Sequence, residues 1–124
     1  MPGEHRLATL VAGSMTLTLL HTADWQIGKR FSFIAGDAGA MIRAQRLETI
    51  RRLAALASER RVDAVLVAGD VFEDNAVSDE TLRRTMNALA GFEGPWVLLP
   101  GNHDAALAQS AWSRLRRLAI VPDN

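Results

Sequence analysis

Three short hydrophobic runs along the chain have the length and composition of buried β-strands. They span Leu17 to Leu20, Val62 to Ala68 and Trp96 to Leu99, and they consist mainly of Leu, Val and Ala. Aliphatic runs of this kind, bounded by turn-forming residues, are typical of strands that are buried on both faces. We therefore predict three strands in this order.

Helical spacing of apolar residues predicts a helix after each of these strands. The first helix carries its apolar residues at positions 47, 50, 54 and 57, and the second begins after Ser78, a residue suited to cap a helix. The predicted helices cover residues 41–60, 78–91 and 105–118, and the glycine-rich stretch from Gly28 to Gly39 is predicted to be a surface loop. Alternation of strands and helices predicts an α/β fold with a parallel sheet and flanking helices.

Composition points to one globular domain of ordinary character. The chain has 124 residues, 48% of them apolar, and its formal net charge is zero. No apolar run approaches the roughly 20 residues needed to span a bilayer. Cysteine is absent, which excludes disulfides and thiolate metal sites and suits a reducing compartment, so we expect a cytoplasmic protein without a membrane partner.

The first 14 residues differ from the remainder of the chain. Glu4, His5 and Arg6 precede a very short apolar stretch, which makes a poor secretory signal. We interpret residues 1–14 as a non-native or disordered extension, with Met15 as the natural start. The domain is then expected to cover residues 15–124.

Arginine supplies 13 of the 14 basic residues, and it is concentrated in two segments. Arginine is suited to bidentate contact with phosphate, whereas arginine-rich helix faces are more commonly just solvated. We favour the solvated interpretation for both segments. Their residues are Arg43, Arg46, Arg51, Arg52, Arg60 and Arg61 in the first, and Arg114, Arg116 and Arg117 in the second.

Polar residues that can bind metals follow each of the three predicted strands. They occur in the strings 24–26 (Asp-Trp-Gln), 69–70 (Gly-Asp) and 101–104 (Gly-Asn-His-Asp). Because the carboxyl ends of parallel strands meet at one edge of a sheet, these strings should lie close together. The sequence therefore predicts a metal site, for which metal-assisted phosphoester hydrolysis is the most fitting chemistry. The alternative is that Asp24, Asp70 and Asn102 merely form turns and cap helices.

Each residue of these strings suits a particular part of such chemistry. The Asp70 carboxylate could bridge two divalent ions, while Asp24 and Asn102 offer further oxygen ligands. Oxygen ligands suit Mg²⁺ or Mn²⁺, and an added imidazole favours Mn²⁺, Fe or Zn. His103 could donate a proton to a leaving oxygen, and Asp104 could orient its ring, so we predict catalytic roles for both.

Three motifs in this order resemble the calcineurin-like metallophosphoesterase superfamily, and within it the SbcD-type DNA-repair exonucleases. They are residues 21–28 (His-Thr-Ala-Asp-Trp-Gln-Ile-Gly), 68–73 (Ala-Gly-Asp-Val-Phe-Glu) and 101–104. The resemblance implies the amino-terminal half of a four-layer α/β/β/α sandwich that binds two divalent metal ions, most commonly Mn²⁺. It also implies DNA as substrate, a homodimer and an SMC-like ATPase partner.

The same resemblance assigns roles to individual positions. Asp24 and Gln26 are implied to hold the first metal, Asp70 to bridge, Asn102 to hold the second, and His103 to assist at the transition state. Glu73 is implied to support the structure. His21 is expected to be a strand-end histidine satisfied by neighbouring backbone, and Trp25 could stack on a base but is expected to pack beneath the metal loop.

Two departures from the family pattern bear on activity. Gln26 stands where a histidine is expected, and no histidine follows His103. The family's later metal-binding histidines are thus absent, so we expect the amino-terminal part of an enzyme, inactive as a nuclease on its own. Two alternatives remain open: a phosphodiesterase or phosphatase acting on nucleotides or phosphoproteins, and a non-catalytic remnant.

Overall fold

Four strands form one sheet in the computed structural model, which describes residues 5–29, 36–106, 110–118, 121, 123 and 124. The strands lie in the order β1-β2-β3-β4. Three helices and a short 3₁₀ turn complete the described elements. Their bounds are β1 His5–Ala12, β2 Met15–Thr22, α1 Ala38–Glu59, β3 Ala64–Ala68, α2 Asp79–Ala88, the turn Leu89–Gly91, β4 Trp96–Leu99 and α3 Ala111–Leu118.

The three predicted strands are β2, β3 and β4, and they pair in parallel as expected. In the register, Thr22 lies opposite Val67, and Ala68 lies opposite Leu99. The carboxyl ends of the three strands therefore reach the same edge of the sheet. This confirms the α/β fold class and brings the three polar strings to one place.

The first strand corrects the prediction of an all-parallel sheet. Residues 5–12 form β1, which pairs antiparallel with β2, so the sheet is mixed. Gly13 has a positive φ of 63°, as a tight hairpin turn requires at that position. The expectation that residues 1–14 are disordered is wrong for His5–Ala12, while residues 1–4 lie outside the described part. The idea of a natural start at Met15 stays a prediction.

The helices are as predicted in number, but their bounds differ. The Ser78 side chain caps α2 by accepting a hydrogen bond from the Thr81 amide at 3.1 Å, which confirms the predicted cap. α1 begins at Ala38, inside the predicted loop, and α3 begins at Ala111 instead of Ala105. Residues 30–35 of that loop and 107–109 of the predicted third helix lie outside the described residues.

The two faces of the sheet have different surroundings. Leu20, Val65 and Val67 are fully buried and belong to one cluster with apolar residues of all three helices. Alternate strand residues point the other way, and Leu17, Val97 and Leu99 remain 43–45% exposed. Helices thus cover one face, and no described element covers the other, which agrees with the predicted half of a layered sandwich.

No helix in the described ranges combines the length and apolar character needed to cross a bilayer.

Candidate metal centre

The pairing of β2 and β3 continues beyond the strands into the first two polar loops. The amide of Asp24 donates to the Gly69 carbonyl at 3.1 Å, and that of Gln26 donates to the Asp70 carbonyl at 3.0 Å. Ile27 then donates to Val71 at 2.9 Å. The loops that carry Asp24, Gln26 and Asp70 are therefore held side by side by their own backbones.

Three predicted ligands have left-handed backbone conformations. Asp24, Gln26 and Asp70 have φ values of 55°, 49° and 49°, and Arg61 is the one other non-glycine residue with a positive φ in the described ranges. Such conformations are rare outside glycine and cluster where function requires a particular side-chain direction. Gln26 is the most telling, because Asp tolerates this region better than Gln does.

The third polar loop closes on Asp70. The amide of His103 donates to Asp70 Oδ1 at 2.9 Å. Gly101 passes so near that an added Cβ would lie 2.5 Å from the Asp70 nitrogen and would also collide with its carboxylate. A side chain at position 101 would therefore push the two loops apart, which explains the glycine. The structure thus brings residues 101–104 against Asp70, with Asn102 and His103 exposed.

Asp104 has a position different from the one that its predicted role requires. Its side chain is fully buried, with Oδ1 accepting from the Gly101 amide at 2.6 Å and Oδ2 accepting from the Phe72 amide at 3.1 Å. Its own carbonyl accepts from the Trp112 indole at 2.6 Å. Both carboxylate oxygens are engaged by backbone, so the geometry favours a role in holding the loop over one in orienting the His103 ring. A catalytic role for His103 stays a prediction.

The donor atoms at this edge suit a hard divalent cation. Two carboxylates (Asp24 and Asp70) and two amide side chains (Gln26 and Asn102) lie on the three loops, and Mg²⁺ and Mn²⁺ favour such oxygen ligands. In the part of the chain that the structure describes, no three His, Cys, Asp or Glu side chains gather into a metal-binding group. Bound cations would accordingly depend on amide oxygens and on ligands from outside these loops.

Sequence comparison agrees with this arrangement. The family model for calcineurin-like phosphoesterases matches residues 17–122, which include all three loops. The chain belongs to the calcineurin-like phosphoesterase family. This confirms the resemblance that the motifs suggested and implies divalent metal ions, without identifying the metal.

Two relatives of this phosphoesterase are bacterial proteins named as the SbcD component of the nuclease SbcCD. The protein of Rhodobacter capsulatus is 38% identical over 95 residues, covering 73% of this chain and 22% of the relative. That of Bacillus subtilis is 28% identical over 103 residues, covering 80% of this chain and 25% of the relative. The chain therefore spans about a quarter of the length of the curated relatives that it matches.

The aromatic and acidic residues near the metal loops have structural positions. Trp25 is fully buried, its indole donates to Thr22 Oγ1 at 3.0 Å, and its ring meets Trp96 edge-on, so it packs beneath the loop instead of stacking on a base. The Glu73 amide donates to the Ile27 carbonyl at 2.9 Å, which is consistent with support for the loop. His21 is half-buried, with Leu66 beside it across the parallel pair.

Two structural contributors were not found from the sequence. Arg46 is only 6% exposed, which corrects the interpretation of its segment as a solvated face. Its spacing four residues before Ile50 places it on the apolar stripe, and that was the signal available. Arg114 donates to the carbonyls of Asn75 at 2.8 Å and Val77 at 2.6 Å, so it ties α3 to the segment before α2.

The position of Asp104 predicts the effect of removing its charge. An Asp104→Asn substitution leaves one oxygen and places an NH₂ group against a backbone N–H that needs an acceptor. We expect the free energy of unfolding to fall by about 1–3 kcal/mol, measured by urea denaturation. Asp37→Asn is the control, because Asp37 is exposed and makes no capping hydrogen bond at the start of α1. Equal stability of both variants would contradict the role assigned to Asp104.

Proposed function

We propose that this chain supplies the first part of a two-metal site that hydrolyses phosphodiester bonds in DNA. The observation that carries the proposal is the meeting of three polar loops at one sheet edge, with left-handed backbone at Asp24, Gln26 and Asp70. Turn-forming or helix-capping roles alone do not require three such loops to be bonded to one another.

The residues would divide the work as follows. Asp24 and Gln26 would hold one ion, Asn102 the other, and Asp70 both. Bound divalent ions supply an activated water and neutralise charge on the phosphoryl oxygens. His103 lies exposed on the loop whose backbone contacts Asp70, where its ring can donate a proton to a leaving oxygen.

The proposed substrate and partners follow from the names of the two relatives. Both relatives are nucleases and components of SbcCD, so we propose duplex DNA as substrate, a role in DNA repair, an SMC-like ATPase partner and a homodimer. Mn²⁺ is the metal that we propose, and a cytoplasmic location stays a prediction. Exposed arginines on α1, such as Arg43 and Arg52, offer donors for phosphate near this domain.

A chimaera tests the proposed function directly. Residues 17–122 are inserted into the SbcD protein of Rhodobacter capsulatus in place of its matching 95-residue stretch, because that relative is 38% identical. We expect Mn²⁺-dependent degradation of linear duplex DNA by the chimaera, and a loss of about 10²-fold or more with Asp70→Ala, since misplaced ions leave the water poorly oriented. Asp37→Ala is the matched control on an exposed carboxylate.

Each contrary result identifies a particular alternative. A folded chimaera that cleaves no DNA and no phosphoester would favour the non-catalytic remnant. Hydrolysis of a phosphate monoester without DNA cleavage would favour the phosphatase. Full activity of the Asp70→Ala chimaera would refute the bridging role.

Substitution of the unusual glutamine tests whether it binds metal. Gln26→His should tighten Mn²⁺ binding by the 124-residue chain about tenfold, because imidazole is the better donor for this metal and His accepts left-handed backbone more readily than Gln. Isothermal titration calorimetry measures the change, with Gln45→His on the exposed face of α1 as control. Equal affinity of Gln26→His and the parent would show that position 26 does not ligate.

A further inference from the structure

Arg46 is the buried arginine of α1 and lies within the apolar stripe of that helix. It is 6% exposed, whereas Arg43, Arg51 and Arg52 on the same helix are more accessible to solvent. A buried guanidinium is costly unless it is hydrogen-bonded or paired with charge. Its position near the centre of the domain therefore calls for a specific contact that offsets this cost.

That contact is made to the first metal loop. Arg46 Nη1 donates to the Trp25 carbonyl at 2.6 Å, 21 positions earlier in the chain, and the bond is buried. A bond from a charged donor in such surroundings is among the stronger hydrogen bonds in proteins. The carbonyl belongs to the peptide that joins Trp25 to Gln26, so the guanidinium determines how that peptide is oriented.

The peptide lies between two residues in the left-handed region. Asp24 and Gln26 have φ values of 55° and 49°, a conformation that costs of order 1–3 kcal/mol per residue and needs support from its surroundings. The Trp25 side chain is fixed by burial and by its bond to Thr22. Arg46 fixes the backbone of the same residue from the opposite helix.

Glu73 connects Arg46 to the second metal loop. One of its carboxylate oxygens is buried and has no hydrogen-bond partner among the described residues. Burial lowers the pKa of Arg46 below its ordinary value, and the negative charge of Glu73 opposes that shift. The Glu73 amide in turn donates to Ile27 at 2.9 Å, so the charge pair joins the two loops that carry Asp24 and Asp70.

We propose that Arg46 is a positioning residue for the divalent-cation site, holding the Trp25 carbonyl so that Asp24 and Gln26 are directed at the cation before it binds. Glu73 balances its charge and ties the arrangement to the second loop. The inference rests on the proposed function, because it takes Asp24 and Gln26 as ligands. Its effect falls on metal affinity, as is usual for residues that orient ligands.

The test is Mn²⁺ binding by the 124-residue chain, measured by isothermal titration calorimetry on four proteins. Arg46→Met/Glu73→Gln removes the bond to Trp25 without leaving a buried charge unbalanced, and its affinity should fall about 10- to 100-fold. Arg46→Lys keeps a donor but not the planar guanidinium, so its affinity should fall by about three- to tenfold. Arg52→Met, whose side chain is 71% exposed, should bind as the parent does.

Thermal denaturation without metal separates this role from simple stabilisation. The double variant should keep a cooperative transition, and its metal affinity should remain lowered well below the transition temperature. Should it fail to fold, Arg46→Lys and Arg52→Lys decide: a fall confined to Arg46→Lys supports the inference, and no fall overturns it.

The proposed function and this inference fail in different ways. If the parent and Asp70→Ala bind Mn²⁺ equally, or neither binds, both are overturned. If Asp70→Ala abolishes binding while the folded double variant binds as tightly as the parent, the positioning role of Arg46 is refuted and the metal site stands.

Discussion

Backbone hydrogen bonds that continue past the ends of β2 and β3 hold the whole candidate site in register. They run from Asp24 and Gln26 to Gly69 and Asp70 and end where Glu73 bonds to Ile27. Without them, the parallel strands would deliver three polar loops to one edge but leave their relative positions free. Everything else at the site is added to this frame: Asp104 fixes the third loop to Phe72, and Arg46 fixes the first.

The frame also explains the glycines and the left-handed residues at this edge. Gly101 must pass Asp70 without a side chain, and Gly69, with a φ of 88°, turns the chain at the end of β3. Three residues with side chains take left-handed conformations beside them, stabilised by the surrounding bonds. Strain concentrated at potential ligands, with rigid elements on all sides, is the arrangement expected of a site formed before its ligand binds.

Much of this could be predicted from the sequence, because the signals were local. The strands at Leu17–Leu20 and Trp96–Leu99 followed from short aliphatic runs, and the cap at Ser78 followed from its position before an acidic first turn. Motif order placed the three loops at one edge, and the family match and strand pairing agree with it. The ligand roles of Asp24, Gln26, Asp70 and Asn102 remain predictions.

What could not be predicted depended on contacts between distant residues. The antiparallel pairing of β1 is decided by whether the edge of β2 is otherwise occupied, which periodicity does not reveal. Asp104 was expected to face the neighbouring His103, but it bonds to Phe72, 32 positions earlier. Arg46 resembled its exposed neighbours in composition and differed only in helical phase, which a count of charges cannot register.

The central claim is that three loops form one site for a divalent cation, and paramagnetic broadening of backbone amide signals by Mn²⁺ tests it most directly. At substoichiometric Mn²⁺, the amide signals of residues 24–27, 69–72 and 101–104 should broaden together. Signals of Asp63 and Gly94, which precede β3 and β4 at the far edge of the sheet, should stay sharp. Broadening centred on the acidic start of α2, or spread evenly over the domain, would contradict the claim.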